Sequence, residues 1–202
     1  MLLLALDTSA NYVSVALVDE TRTFAYLEEE MERGQAESLM PMIDNVLKKA
    51  QKTMADIDGV AVTVGPGSFT GVRIGLAAAR AFGLALKIPV YGVTCFEVWA
   101  YHLGRTCKVV LDSKRDDYFV QDFNADGVAI SEPAIQSVDV LKTKLPFAAV
   151  GTGALALSEE IGCNFVQKIS PVAVAAARIA LSRIKNPLPP KPLYMREADV
   201  TV

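Results

Sequence analysis
The sequence predicts an α/β protein built from two related lobes, and three observations lead there. The first is residues 59–87, a buried strand (Val60, Ala61, Val62, Val64), a glycine elbow (Gly65-Pro66-Gly67-Ser68) and a long helix. The second is a repeated hairpin head: Leu6-Asp7-Thr8 returns as Leu111-Asp112-Ser113, with Tyr12 five residues past Asp7 and Tyr118 six past Asp112. The third is the order of elements, which restarts near residues 104–108. At 202 residues the chain holds one large domain or two small ones. The boundary divides it into lobes 1–105 and 106–202, the second ending in a tail that returns toward the first.

In the first half, residues 2–6 read as a buried strand and 12–18 as a second with alternation (Val13, Val15 and Leu17 against Ser14 and Ala16). A turn over Thr8-Ser9-Ala10-Asn11 joins them, and 23–28 is a third strand. Residues 33–37 are polar and loop-like. From Ser38 to Gln51, Leu39, Met42, Ile43, Val46, Leu47 and Ala50 keep the i, i+3, i+4 spacing of an amphipathic helix, with Pro41 in its first turn. Ser68 is placed to N-cap the long helix that follows the elbow. On that helix Gly71, Gly75, Ala79 and Gly83 form a stripe nearly free of side chains. Three glycines cost roughly 2–3 kcal/mol of helix propensity, so close approach of another backbone is expected to offset them, in the chain's own core or against a partner. Arg73, Arg80 and Lys87 form a narrow basic stripe. A strand over 89–94 and a helix over 96–103, closed by Gly104, complete the half.

The second half offers strands at 118–123 and 128–132, a helix at 139–145, a strand at 147–150 entering Gly151-Thr152-Gly153, and a helix at 171–185. Residues 187–192 read as a stiff proline-rich linker before Leu193-Tyr194-Met195-Arg196.

Composition excludes several classes. A net charge of −3 gives no electrostatic footprint for nucleic acid, so tRNA or any RNA is expected to bind only within a larger complex. Cys95, Cys107 and Cys163 are widely spaced and lack a C-x-x-C pair, as expected of reduced thiols in a cytoplasmic protein. Asp7 interrupts the apolar N-terminus after six residues, which argues against a signal peptide or membrane span there. His102 is the single histidine, so no histidine-based zinc site is available and neither Ser9 nor Ser68 has a base. The block 65–71 lacks the lysine of a phosphate loop. Asp7 and Asp112 could hold a Mg²⁺-nucleotide between lobes, or cap their own turns; neither turn has a glycine to bring backbone N–H groups onto phosphates. Met31, Met40, Met42 and Met54 read as core filler or as a plastic partner face. The residues alone describe an actin-like two-lobe fold emptied of chemistry; the competing class is an autonomous ATPase or sugar kinase of that superfamily, or a peptidase.

Four stretches together resemble a known family. They are Asp7-Thr8-Ser9, the block from Gly65 through Ser68-Phe69-Thr70-Gly71 to Gly75, Leu111-Asp112-Ser113-Lys114-Arg115, and Pro192-Leu193-Tyr194-Met195-Arg196. The chain is identified by them as similar to the TsaB (YeaZ) family, bacterial subunits of the tRNA threonylcarbamoyladenosine machinery. The resemblance implies an actin-like ATPase-domain fold (ASKHA, with RNase H-like duplication). It implies a non-catalytic scaffold with no metal or cofactor of its own, paired with the paralogue TsaD and the ATPase TsaE in threonylcarbamoyl transfer to adenosine 37 of tRNAs reading codons that begin with A. ATP is used by the partner ATPase, and a homodimer is possible in isolation. Pairing in that family runs through two first-lobe helices, which here puts Leu39, Met42, Ile43 and Val46 on the first, and Gly71, Arg73, Ile74, Gly75, Ala78, Ala79 and Phe82 on the second. Asp7, Thr8, Ser9 and Asp112 become degenerate nucleotide-cleft positions. Gln35 stands where many relatives have histidine. An older label for the group, M22 glycoprotease, finds no peptide-cutting residues here.

Overall fold
The apolar runs of the first half are continuous rather than strictly alternating, which is the pattern of strands covered on both faces. The computed structural model describes residues 1–196 and realises that pattern; the end of the expected second lobe, 197–202, lies outside the described residues. The first sheet contains β1 (Leu3–Ala10), β2 (Tyr12–Val18), β3 (Thr23–Glu30), β4 (Gly59–Thr63) and β5 (Val90–Val93), with α1 (Gln35–Ala50) between β3 and β4, and α2 (Phe69–Leu86) between β4 and β5. After α3 (Cys95–Ala100) come β6 (Cys107–Asp112), β7 (Asp117–Phe123), β8 (Ala134–Ser137), α4 (Val138–Lys142), β9 (Ala148–Val150), α5 (Ala154–Ile161), β10 (Asn164–Phe165) and α6 (Val172–Ser182).

The two sheets have one topology. Their orders are β3-β2-β1-β4-β5 and β8-β7-β6-β9-β10. In each, the first three strands pair antiparallel and the last two join in parallel. The duplication seen as an order of elements in the sequence is therefore a duplication of topology.

Helices are exchanged across the duplication. One face of the first sheet (Leu4, Leu6, Val13, Val15, Val60, Val62) packs on α1 and α2. The other carries small residues, Ala5, Ala16 and Ala61, and receives the alanine-rich face of α6 from the far half of the chain. Glu28 Oε2 and Ser14 Oγ accept the first backbone N–H groups of α6, from Val172 at 2.8 Å and Ala173 at 3.1 Å. In return α3, from the first half, lays Cys95, Phe96 and Ala100 on Val109, Leu111 and Phe119 of the second sheet.

Several boundaries differ from expectation. α1 begins at Gln35 behind a left-handed Gly34 (φ 92°), so residues 35–37 are helical and Pro41 lies well inside the helix, on its exposed side. β1 runs on to Ala10 with a register shift after Asp7, leaving Asn11 alone at the turn. The third strand of the second sheet is 134–137, not 128–132: Val128 and Ile130 stay exposed, and only an isolated bridge, Phe123 with Ala129, forms there. α5 was not expected, because Gly151-Thr152-Gly153 reads as a turn and the helix buries only Ala154 and Leu157.

The largest correction concerns the glycine stripe. A Cβ on Gly71 would stand 2.0 Å from the Thr8 carbonyl oxygen, and one on Gly75 2.9 Å from Thr8 Oγ1. Gly83 faces Val90 in the same way, and Ala79 is fully buried. The stripe seats α2 on its own sheet, with Gly71, Gly75 and Ala79 buried there. Replacing Gly71 by alanine is expected to cost about 1–3 kcal/mol of stability by overpacking, read as a lower urea midpoint, while Ala81→Ser on the open side leaves the midpoint unchanged.

Candidate functional site
Two places concentrate what the fold leaves available: the end of β1 where the lobes meet, and the outer face of α2. At the first, Asp7-Thr8-Ser9 is tied to the elbow and to the start of α2. Thr8 Oγ1 donates to the Gly71 carbonyl at 2.6 Å, and the Ser9 carbonyl accepts from Ser68 N at 2.7 Å. Ser68 caps α2 as expected, its hydroxyl accepting from Gly71 N. Asp7 is fully buried; one oxygen accepts from Ser9 N at 3.0 Å and from the Thr63 hydroxyl. The Cys95 thiol donates to Ser9 Oγ at 3.1 Å. Burial first, then the Asp7 carboxylate, pushes both Cys95 and the Tyr12 phenol up, so both stay protonated.

In front of this knot lies a cavity of about 730 Å³ between the lobes. Ser9, Tyr12, Glu28, Glu30, Glu32, Pro66, Gly67, Cys95, Trp99, Asp112, Lys114 and Lys168 line it. Of the expected cleft positions, Ser9 and Asp112 reach the cavity, whereas Asp7 and Thr8 are buried behind it. Asp112 caps its own turn, accepting from Lys114 N at 2.7 Å, and pairs with the Lys114 ammonium at 2.8 Å. Lys168 pairs with Glu28, its ammonium 5.5 Å from the Tyr12 ring centroid and 5.4 Å from that of Trp99. Both cleft lysines are therefore engaged by carboxylates, and Glu30 and Glu32 add further negative charge. A Cβ on Gly67 would meet the Ser9 carbonyl at 2.3 Å, so the elbow's glycine serves contact with β1. This is a poor cradle for a polyphosphate, which needs free cations and open backbone N–H groups. Among the described residues no three His, Cys, Asp or Glu side chains are grouped to hold a metal ion. His102 lies just past α3, edge-on to Tyr101 at 4.2 Å, and lines a different cavity from Ser9 and Ser68.

The expected interface positions divide. Leu39, Met42, Ile43 and Val46 of α1, and Gly71, Gly75 and Ala79 of α2, are buried in the chain's own core and cannot meet a partner as it stands. Ile74, Ala78 and Phe82 are half-buried, and Arg73 is exposed. Beside them run positions that sequence reasoning missed, Ala77, Ala81, Leu84 and Ala85, with Leu84 84% exposed; on α1, Met40, read as core filler or a partner face, is 53% exposed. Their signal was the all-round apolarity of 70–87, which periodicity cannot divide into covered and open faces. α2 is long and apolar enough to cross a membrane, at a mean hydropathy of 1.3, but one side of it lies on β1 and β4 and it carries Arg73 and Arg80.

Known proteins resemble this chain in sequence or in fold. A family model described as TsaD, tRNA N6-adenosine threonylcarbamoyltransferase, matches residues 28–145. An uncharacterised Mycobacterium tuberculosis protein is 34% identical over 200 residues, 97% of this chain and 92% of its own. The Escherichia coli tRNA threonylcarbamoyladenosine biosynthesis protein TsaB is 27% identical over 167 residues, 76% of this chain and 72% of its own. Among solved structures, YeaZ from Pseudomonas aeruginosa superposes with a TM-score of 0.81 at 23% identity, covering 96% of this chain and 99% of that one, a likeness of fold.

The thiols give a pH test. Burial raises Cys107 from 9.0 to about 11. A thiol whose pKa is raised on folding stabilises below its unfolded value, and that contribution is lost as pH rises through the folded one. Stability is therefore expected to fall between pH ~9 and ~11, and Cys107→Ala to flatten that limb of a urea-midpoint-against-pH curve.

Proposed function
The chain belongs to the family that the TsaD model describes, on its TsaB (YeaZ) side, and we propose on that premise that it is a non-catalytic subunit of the complex forming threonylcarbamoyladenosine in tRNA. The observation that carries this reading is the apolar face of α2 left uncovered beside its own sheet, Ala77, Ala81, Leu84 and Ala85, edged by half-buried Ile74 and Ala78. Soluble proteins rarely leave such a face without a function. The occupant we assign is the paralogue TsaD, with TsaE joining the assembly and spending the ATP, in the cytoplasm. A second copy of this chain would use the same face and compete, giving a homodimer in isolation. The two engaged lysines and four carboxylates of the cleft support a subunit without its own nucleotide chemistry. The net charge of −3 supports tRNA contact only within the complex.

Leu84→Asp puts a charge on the open face without touching the core. It is expected to weaken association with TsaD by at least about fivefold, the scale of an interface residue worth more than 1 kcal/mol, measured by calorimetry. The variant's thermal midpoint should match the parent's; full affinity in a folded Leu84→Asp protein would move the interface elsewhere. Filter binding of tRNA to the isolated chain at about 0.15 M salt is expected to give micromolar or weaker affinity, and nanomolar binding would contradict the subunit reading.

A further inference from the structure
The basic stripe on α2 and the proline-rich end of the chain, which the proposed function does not use, meet one another. After α6 the chain runs back over the first lobe. Gly92 N donates to the Leu188 carbonyl at 2.8 Å, adding a bridge to the edge of β5. Arg80 Nε donates to the Pro190 carbonyl at 3.1 Å, and Leu193 N donates to the Val64 carbonyl at 2.7 Å with its side chain in the first core. Arg73 Nε donates to the Tyr194 hydroxyl at 3.0 Å while its guanidinium lies 3.7 Å over the Phe69 ring. At the next residue the segment changes lobe. Met195 packs against the core of the second sheet, and Arg196 pairs with Asp117 with its guanidinium 5.8 Å over Phe119.

Both ends of this segment reach a wall of the cleft. Val64 immediately precedes the Gly65-Pro66-Gly67 elbow, and Pro66 and Gly67 line the first wall. Asp117 accepts the Ser113 hydroxyl through Oδ1 at 2.6 Å, and Ser113 stands between Asp112 and Lys114 on the second. We propose that residues 187–196 are a clasp that sets the opening of the inter-lobe cleft, anchored on the first lobe by Leu188, Leu193 and Tyr194 and on the second by Arg196. Arg73 and Arg196 suit such a clasp, since each joins a planar cation stacked on a ring to one fixed oxygen, which holds direction as well as distance. The Arg196–Asp117 pair is about three-quarters shielded from water, so it is screened less than a surface pair. The Arg73 end lies on the exposed side of α2, which places the clasp where an occupant of that helix would touch it. The inference concerns the isolated chain and stands whether or not the partner assignment is right.

Spin labels at Lys49→Cys on α1 and Glu159→Cys on α5, both exposed, report the distance between lobes in the full chain. The parent is expected to give one narrow distribution. Arg196→Ala is expected to broaden it and shift it, and acrylamide quenching of Trp99, the single tryptophan and a cleft residue, to rise with it. Tyr194→Ala should act the same way, and the double variant should add little to Arg196→Ala, because both undo one clasp. Arg22→Ala, which removes an arginine stacked on Phe24 in the first lobe, is the control and should change neither readout. If Arg196→Ala fails to fold, Asp117→Asn breaks the same anchor with a near-isosteric side chain. An unchanged distance distribution in folded Arg196→Ala or Asp117→Asn protein overturns the proposal.

Discussion
The contact on which the rest of the molecule depends is the one between the end of β1 and the start of α2. Thr8 meets the helix through its carbonyl oxygen and its hydroxyl, and Ser9 meets the elbow and Ser68 through its carbonyl, at separations only a glycine at 67 and 71 permits. That contact fixes where α2 lies on the sheet, and so which of its residues are buried and which face out. It turns Asp7 inward, where Thr63 and Ser9 hold it. It also sets the floor of the cleft. A glycine elbow that reads like a phosphate loop is here a joint between a strand and a helix.

The cleft illustrates how a fold can keep a shape and change its electrostatics. Its walls are in the places expected of a two-lobe actin-like protein, yet each lysine in it is matched to a carboxylate from the same chain. Pairing Lys168 with Glu28 has a second effect, since the other Glu28 oxygen caps α6. One carboxylate thus joins β3, the segment before α6, and the helix that closes the first sheet. Charge that could have met a ligand is committed within the chain, to joining the lobes at Lys168–Glu28 and to closing a turn at Lys114–Asp112.

The fold was legible in the sequence because its signals are local. Strand runs, a serine cap, an elbow of glycines and a repeated Leu-Asp-Thr/Ser head each follow from a few adjacent residues, and the topology repeats as their order does. What the sequence hid is what depends on a distant neighbour. Nothing near Gly71 reveals that its missing side chain makes room for Thr8 rather than for another molecule. Nothing near Ala173 or Ala176 reveals that α6 belongs against the first sheet, whose small residues, Ala5, Ala16 and Ala61, lie far earlier in the chain. Arg73 and Arg80 read only as part of a narrow basic stripe, and their partners are a phenol and a carbonyl near the other end of the chain. The weak elements of the second half, α5 and β8, were missed or misplaced because each buries few side chains.

The exchange of α3 and α6 carries a consequence for how the chain comes into being. The first sheet is complete in its strands once β5 has been made, but one of its faces stays bare until α6 follows about eighty residues later. During synthesis, at roughly 5–20 residues per second, that alanine-lined face waits in water, for several seconds. The halves are thus not independent folding units despite their shared topology. Each supplies the helix that dries the other, so the last cooperative step joins the ends of the chain, and such distant closures are slow. A chain interrupted within α6 would lose more than its tail: it would leave the first lobe, which looks finished in the sequence, open along one side.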